Sequence, residues 1–185
     1  MVRERGLVGL SLRELGGRVG MRAQSLYSYF TSKNEIYDAM FRQGYETFMG
    51  EMALPPAPNE PTNVLAFIEA GSLRFFDFCV SDPVRYQLLF QRTIPDFEPS
   101  PESWTLALRA YDRGVGGLRQ LGFDDESLDM WTAVLTGLTD QQISNDPGGT
   151  RWRRQVPRAV RMLVTEFAPH LVTPPRARPR RKATR

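Results

Sequence analysis

The sequence predicts an all-α protein with a small helix-turn-helix head and a larger helical body. Apolar residues recur at helical spacing along most of the 185 residues, Pro-rich breaks separate these stretches, and no run of strands is evident. No apolar run approaches the roughly eighteen residues of a membrane span. Since no secretory pattern stands at the start, we expect a cytoplasmic protein.

A short first helix is predicted to begin at Leu12. Ser11 and Glu14 have the spacing of a capping box, in which a hydroxyl and a carboxylate each accept a free backbone N–H. Leu12, Leu15 and Val19 then mark one apolar face of this helix, which leaves its charged residues for solvent or phosphate.

Gly20 is predicted to end this helix and to begin a tight turn, because glycine tolerates positive φ. A second helix is expected over AQSLYSYF, with Leu26 and Phe30 pointing inward and a polar face outside. Ser32 and Glu35 repeat the capping box and start a longer helix that reaches residue 52. The apolar stripe of this third helix consists of Ile36, Met40, Tyr45, Phe48 and Met52.

The segment 11–37 resembles the TetR family of transcriptional regulators. That family's recognition segment has the form Gly-Val-x-x-x-x-Leu-Tyr-x-His-Phe-x-x-Lys-x-x-Leu. The corresponding residues are Gly20-Met21, Leu26-Tyr27-Ser28-Tyr29-Phe30, Lys33 and Ile36. Tyr29 replaces the family's common histidine, which keeps a hydrogen-bond donor for phosphate but removes the titratable group.

The resemblance implies that seven side chains contact double-stranded DNA. Arg13, Arg22, Gln24 and Ser25 occupy positions that reach base edges, and Tyr27, Tyr29 and Lys33 occupy positions that hold phosphates. The chemistry agrees, because Arg pairs with guanine and Gln with adenine, whereas tyrosine hydroxyls and an ammonium suit phosphate oxygens. Under the alternative interpretation, Tyr27 and Tyr29 are partly buried packing residues, and Arg13 and Arg18 form a solvated helix face.

The family places another helix before the position of Ser11, where this sequence has only ten residues. Residues 2–6 look like the end of that helix, so we expect a truncated record of a longer protein. A hypothesis from another class follows from the same feature: a small-molecule-binding protein that does not engage DNA as written, because a head without its first helix has little stability to spare.

Charge divides the chain into three parts. Residues 1–33 carry six Lys/Arg and two acids, residues 34–173 carry twelve and nineteen, and residues 174–185 carry six and none. A basic head on an acidic body offers one surface to DNA. The resemblance implies a DNA-binding domain at 1–52 and an effector-binding and dimerisation domain at 53–173, and the composition of residues 174–185 predicts a disordered tail. The tail either adds non-specific phosphate attraction or only solubilises the protein.

The body is predicted to contain five further helices. They are expected at about 62–80, from Asp82-Pro83 to Phe90, from Ser100-Pro101 to Gly122, at about 125–145 and at about 151–168, with Pro157 kinking or restarting the last. The resemblance implies that the last two pair with a second subunit in a four-helix bundle. Such a two-fold homodimer sets its reading helices roughly 34–36 Å apart and favours a palindromic operator.

The family builds a small-molecule effector cavity in the segment that corresponds to 62–145. Our candidates to line it are Phe75, Phe78, Tyr86, Phe90, Trp104, Leu108, Tyr111, Trp131 and Leu135. Ordinary core packing is the alternative for each of them. Because only Tyr111, Thr139 and Gln142 offer neutral polarity nearby, we expect a mainly apolar or aromatic effector, which releases the operator by favouring one arrangement of the heads.

Two features refine these expectations. Trp131 and Gly137 look like the tryptophan-histidine-glycine type of TetR C-terminal domain, with Thr136 in place of the histidine. With Cys79 and His170 as the single residues of their types, the chain forms no internal disulfide and has no histidine cluster for a metal or a catalytic triad. Cys79 is interpreted as a core residue. No pattern for a cofactor or an enzyme is found.

Overall fold

The structure is a computed structural model that describes residues 6–53 and 61–172. These residues form eight α-helices and two 3-10 segments, with no strand among them, which confirms the all-α fold. Helices α1 to α8 are Leu12–Arg18, Ala23–Tyr27, Lys33–Glu51, Pro61–Ser81, Pro83–Phe90, Pro101–Gln120, Asp125–Asn145 and Val156–Phe167. No described helix is long and apolar enough to cross a membrane. The predicted tail, 174–185, lies outside the described residues.

Side-chain caps begin five of these helices. Each capping oxygen accepts the backbone N–H of the residue three positions further on. The caps are Ser11, Ser32, Asp82, Ser100 and Asp124. The start of α3 departs from a capping box in one respect: the Glu35 carboxylate accepts hydrogen bonds from Thr31, at 2.7 Å from N and 2.5 Å from Oγ1, instead of from the N–H of Ser32.

The turn between α1 and α2 forms where the sequence predicts it. Gly20 has a φ of +70°, and the N–H of Met21 donates to the carbonyl of Gly16 at 2.9 Å, which closes a Schellman-type helix end. The prediction that Val19 lies on the apolar face of this helix is wrong, because α1 ends at Arg18 and the side chain of Val19 is 55% exposed. The second helix also ends earlier than predicted, at Tyr27.

One hydrophobic cluster joins the head to the body. It contains Leu12 of α1, Leu26 of α2 and Phe41 of α3, and it continues into α4, α5 and α6. Helix α3 passes close to α5 at Gly44, where a Cβ atom would lie only 2.8 Å from Leu89. Because this single cluster runs through both parts, α3 is packed on the head and on the body at once.

A second hydrophobic cluster lies in the body between α4, α7 and α8. Its fully buried members include Phe76, Val156, Val160 and Val164. Pro157 lies in the first turn of α8, after the 3-10 segment Arg153–Gln155, so the predicted restart at this proline is confirmed.

Asp38 ties α3 to the start of α6. Its carboxylate accepts hydrogen bonds from the N–H of Ser100 at 2.7 Å, from the Ser100 hydroxyl at 3.0 Å and from the Ser103 hydroxyl at 2.9 Å. Arg42 also approaches this carboxylate, at 3.6 Å. A motion of α3 is therefore coupled to the N-terminus of α6 through a half-buried carboxylate.

Candidate nucleic-acid interface

The seven side chains predicted to contact DNA are all exposed. Tyr27 and Tyr29 are 52% and 72% exposed, so neither ring is buried in the core. Their hydroxyls and the guanidinium of Arg22 are accessible to a macromolecular partner. Exposure makes the predicted contacts possible, while the assignment of each side chain to a base or a phosphate stays a prediction.

Three successive elements carry these residues. Arg13 lies on α1, and Arg22 directly precedes α2, whose first turn carries Gln24 and Ser25. Lys33 is the first residue of α3. The carbonyl of Arg22 accepts the N–H groups of Ser25 and Leu26, at 2.9 and 3.2 Å. The start of α2 therefore presents Arg, Gln and Ser side chains together, which is the part of a recognition helix that reaches base edges in the major groove.

Buried residues beneath α2 hold this helix in place. Leu26 is only 5% exposed, and its carbonyl accepts the N–H groups of both Tyr29 and Phe30 at 3.0 Å. These bonds shape the turn that carries Tyr29 toward solvent. The position of Tyr29 thus follows from the anchoring of Leu26 in the first cluster.

Three further residues support the head and were missed by sequence reasoning. Leu7 and Leu10 are each 3% exposed, and the hydroxyl of Tyr37 donates to the carbonyl of Leu7 at 2.7 Å. Burial raises the pKa of Tyr37, so this hydroxyl stays a donor at physiological pH. The available signal was the i, i+3 spacing of two leucines just before the Ser11 cap.

A groove of about 300 Å³ lies between the end of α2 and α3, next to the residues predicted to contact DNA. Tyr29 and Phe30 form one side, while Glu35, Asp38 and Glu46 bring carboxylates to the other. A row of carboxylates repels the phosphates of DNA. We therefore expect the groove to lie at the edge of the surface predicted to contact DNA.

The nine candidates for an effector cavity do not form a single group. Phe75, Phe78, Tyr86 and Phe90 pack together in the first cluster, and the ring centroids of Phe75 and Phe90 lie 5.6 Å apart. Trp131 and Leu135 belong to the second cluster. The stripe predicted on α6 faces solvent at its first three positions, since Trp104, Leu108 and Tyr111 are between 43% and 49% exposed.

The polar residues that accompany the aromatic group differ from those expected. Thr139 donates to the carbonyl of Leu135, and Gln142 accepts the backbone N–H groups of Trp152 and Arg153, so these two side chains already have partners within the protein. Tyr111 is exposed. Sequence reasoning named no other polar residue near the predicted cavity.

Asp140 and Arg85 are the polar groups that the structure places beside the rings. Asp140 accepts hydrogen bonds from Tyr86 and, at 2.8 Å, from Gln91, and burial together with this carboxylate raises the pKa of Tyr86. The Arg85 guanidinium lies 3.7 Å from the centroid of Phe78, and its buried Nε has no hydrogen-bond partner among the described residues. The sequence of α5 and its cap, residues 82–90, contained no pattern that predicted these contacts.

Cys79 is fully buried in the same cluster. Desolvation raises the pKa of its thiol, which keeps the sulfur protonated. A protonated, inaccessible thiol is neither a nucleophile nor a redox sensor, so the interpretation of Cys79 as a core residue is confirmed.

Comparison with known proteins supports the reading of the head. Residues 1–40 match the sequence model of the bacterial regulatory proteins of the tetR family. The structure is also similar to the crystal structure of SCO4313, described as a candidate regulatory protein, with a TM-score of 0.65 and 15% identity over 88% of this chain and 89% of that one. The second likeness concerns the fold and extends over head and body.

Proposed function

We propose that this chain, whose N-terminal segment carries a TetR-type DNA-binding domain, represses transcription from a palindromic operator that a small effector makes it release. The observation that carries the proposal is the exposure of all seven predicted DNA contacts on a head that is anchored from beneath. The local charge of the first 33 residues, six basic against two acidic, favours the same partner.

The palindrome follows from a two-fold homodimer. Helices α7 and α8 are the proposed pairing elements, in a body of the tryptophan-histidine-glycine type with Thr136 in place of the histidine. Met130 on α7 and Met162 on α8 are 49% and 64% exposed, which leaves apolar surface for a second subunit. A two-fold axis repeats α2 about one DNA turn away, so the operator repeats its half-site.

Release of the operator is proposed to follow from a population shift between two arrangements of the heads. Helix α3 is the proposed lever, because the Tyr45 hydroxyl donates to the carbonyl of Leu89 at 3.0 Å, and Arg74 donates to the carbonyls of Glu51 and Ala53 at the helix end, both at 3.3 Å. The aromatic group around Phe90 is the proposed effector region. The unpartnered donor of Arg85 suits one acceptor group on an otherwise apolar molecule.

The test is DNA binding by the full chain. A labelled duplex from upstream of the chain's own gene is titrated in a gel shift and by fluorescence anisotropy, with a scrambled duplex of equal length as the control. We expect at least about a thousandfold preference for the operator and an affinity that falls steeply with salt. Equal binding to both duplexes would argue against a sequence-specific regulator, and no binding to either would favour the alternative of a protein that binds only small molecules.

A further inference from the structure

Helix α6 leaves one apolar stripe uncovered. Trp104, Leu108 and Tyr111 follow one another at i, i+4 and i+7 along its N-terminal half, and each is between 43% and 49% exposed. The adjacent face is packed, with Ser103, Ala107 and Ala110 buried. Large apolar side chains in a contiguous exposed row mark an interaction surface far more often than single ones do.

The stripe continues as a heptad seam. Pro101 precedes it, and Val115 and Leu118 extend it, which gives successive spacings of three, four, three, four and three residues. This is the a/d pattern with which two helices interlock their side chains. Val115 and Leu118 are half-buried against the second cluster, so the part of the seam that remains uncovered is its first half and its centre.

The seam is symmetric about a point between Arg109 and Ala110. If a second copy of the helix runs antiparallel about that point, Trp104 meets Val115 and Leu108 meets Tyr111. Every apolar position then meets another apolar position. An antiparallel copy of the same helix is therefore a matched partner, and a two-fold interface requires this self-complementarity. The seam positions carry no charge that would oppose the pairing.

Of the segments outside the described residues, neither 54–60 nor 173–185 has the composition to cover this seam. Residues 54–60, LPPAPNE, supply one large aliphatic side chain, and residues 173–185, TPPRARPRRKATR, supply none. Two copies of the seam supply matching rows of large apolar side chains, which a proline-rich segment cannot do.

We propose that α6 docks antiparallel on α6 of a second copy of this chain, through the seam Pro101, Trp104, Leu108, Tyr111, Val115 and Leu118. This interface is separate from the proposed pairing of α7 and α8, and the two together join four chains. The hydrogen bonds of Asp38 connect the first turn of α6 to α3, so the contact is made next to the element that carries the head.

The first test replaces the centre of the seam. Sedimentation equilibrium of the full chain, with and without Leu108→Glu, measures the number of chains in the particle. We expect the substitution to halve that number, from four to two, because each introduced carboxylate would be buried against Tyr111 of the second copy, close to its symmetry mate near the two-fold axis. Arg113→Glu, on the same helix but outside the seam, is the matched control and leaves the number unchanged. A particle of the same size in both variants and the wild type overturns the proposal.

The second test measures the formation of a covalent cross-link between two chains. It does not depend on the stability of a charged variant. Cys79 is fully buried, so it stays silent toward a short bis-maleimide cross-linker. With Leu108→Cys we expect covalent pairs of chains, and with Arg113→Cys we expect none. Absent or equal cross-linking of the two variants overturns the proposal. Operator binding is measured on the same samples, since failure of the proposed repressor function would appear there and leave the cross-linking result unaffected.

Discussion

Two surfaces of this molecule leave large side chains in water, and they differ in their surroundings. Tyr27 and Tyr29, on and just after α2, are 52% and 72% exposed, and Trp104 and Leu108 on α6 are 48% and 49% exposed. The tyrosines lie among exposed Arg, Gln, Ser and Lys side chains. The α6 residues continue into other apolar residues of the same seam.

The exposure of a large side chain indicates a binding partner only when the neighbouring residues are considered with it. A tyrosine has an apolar ring and a polar hydroxyl, so beside cations it suits a polyanion such as DNA. The row of Trp104, Leu108, Tyr111 and Val115 has only two polar groups, the indole N–H of Trp104 and the hydroxyl of Tyr111, and it suits another apolar surface. The two surfaces should therefore respond to different substitutions.

The largest expected effect concerns base recognition by α2. Arg22→Ala or Gln24→Ala should each weaken operator binding by about 10- to 100-fold, since a bidentate contact to a base contributes about 1–3 kcal/mol of discrimination. Binding to a scrambled duplex should change much less. Fluorescence anisotropy on both duplexes measures the ratio.

Lys33→Ala is the matched phosphate variant for this test. This substitution should weaken binding to the operator and to the scrambled duplex by the same factor. It should also reduce the slope of log affinity against log salt concentration by about one. If Arg22→Ala and Lys33→Ala gave the same pattern, the division of the surface into base and phosphate contacts would be wrong.

The next effect concerns the connection between the two surfaces. Asp38→Ala removes the acceptor for Ser100 and Ser103 in a half-buried site, and we expect the free energy of unfolding to fall by about 1–3 kcal/mol. Asp112→Ala, an exposed acidic position on α6, should change it by less than about 0.5 kcal/mol. Urea unfolding measures both, and equal stability of the two variants would show that the Asp38 contacts do not stabilise the fold.

Local signals predicted the helices well. Ser32, Asp82 and Ser100 cap helices where the sequence indicates, and the helices from Asp82-Pro83 to Phe90 and over 125–145 agree with the observed α5 and α7. A capping hydroxyl or carboxylate acts on N–H groups within the same short segment, so neighbouring residues contain the information. The exposed positions of the DNA-contact candidates followed from the same local spacing.

Tertiary partners were predicted less well, because apolar spacing shows that a face is apolar without showing what covers it. The stripe on α6 exists as predicted, yet Trp104, Leu108 and Tyr111 are exposed and belong to neither of the clusters that contain the other effector candidates. Likewise, Gln142 looked like a polar group for an effector, but it binds the backbone of Trp152, which only the connection between α7 and α8 brings near. Such contacts depend on how distant segments pack.

A smaller effect separates the tyrosines of the two surfaces. Tyr29→Phe keeps the ring and removes the hydroxyl, so we expect operator binding to weaken by about 2- to 10-fold, as the loss of one hydrogen bond of about 0.5–1.5 kcal/mol implies. Tyr111→Phe should leave both operator affinity and the number of chains unchanged, because an apolar seam uses only the ring. A loss of DNA binding in Tyr111→Phe would contradict the separation of the two surfaces.

The smallest effect is a pH dependence of the stability, which arises from Glu35 at the start of α3. Hydrogen bonds from the hydroxyl and the N–H of Thr31 lower the pKa of Glu35 below its ordinary value of 4.5. The folded state favours the charged carboxylate, so Glu35 stabilises the fold fully above pH 4.5. This contribution is lost as the pH falls through the lower pKa that Glu35 has in the folded state.

The substitution Glu35→Gln isolates this effect. It removes the charge at every pH, so the melting temperatures of the wild type and the variant should differ at pH 7 and converge toward pH 3. Solvent surrounds the exposed carboxylate and keeps the difference small. Thr31→Val, which removes the hydroxyl and keeps the N–H, should give an intermediate value at pH 7. A gap between the wild type and Glu35→Gln that stays constant from pH 7 to pH 3 would mean that the Glu35 contacts stabilise α3 independently of charge.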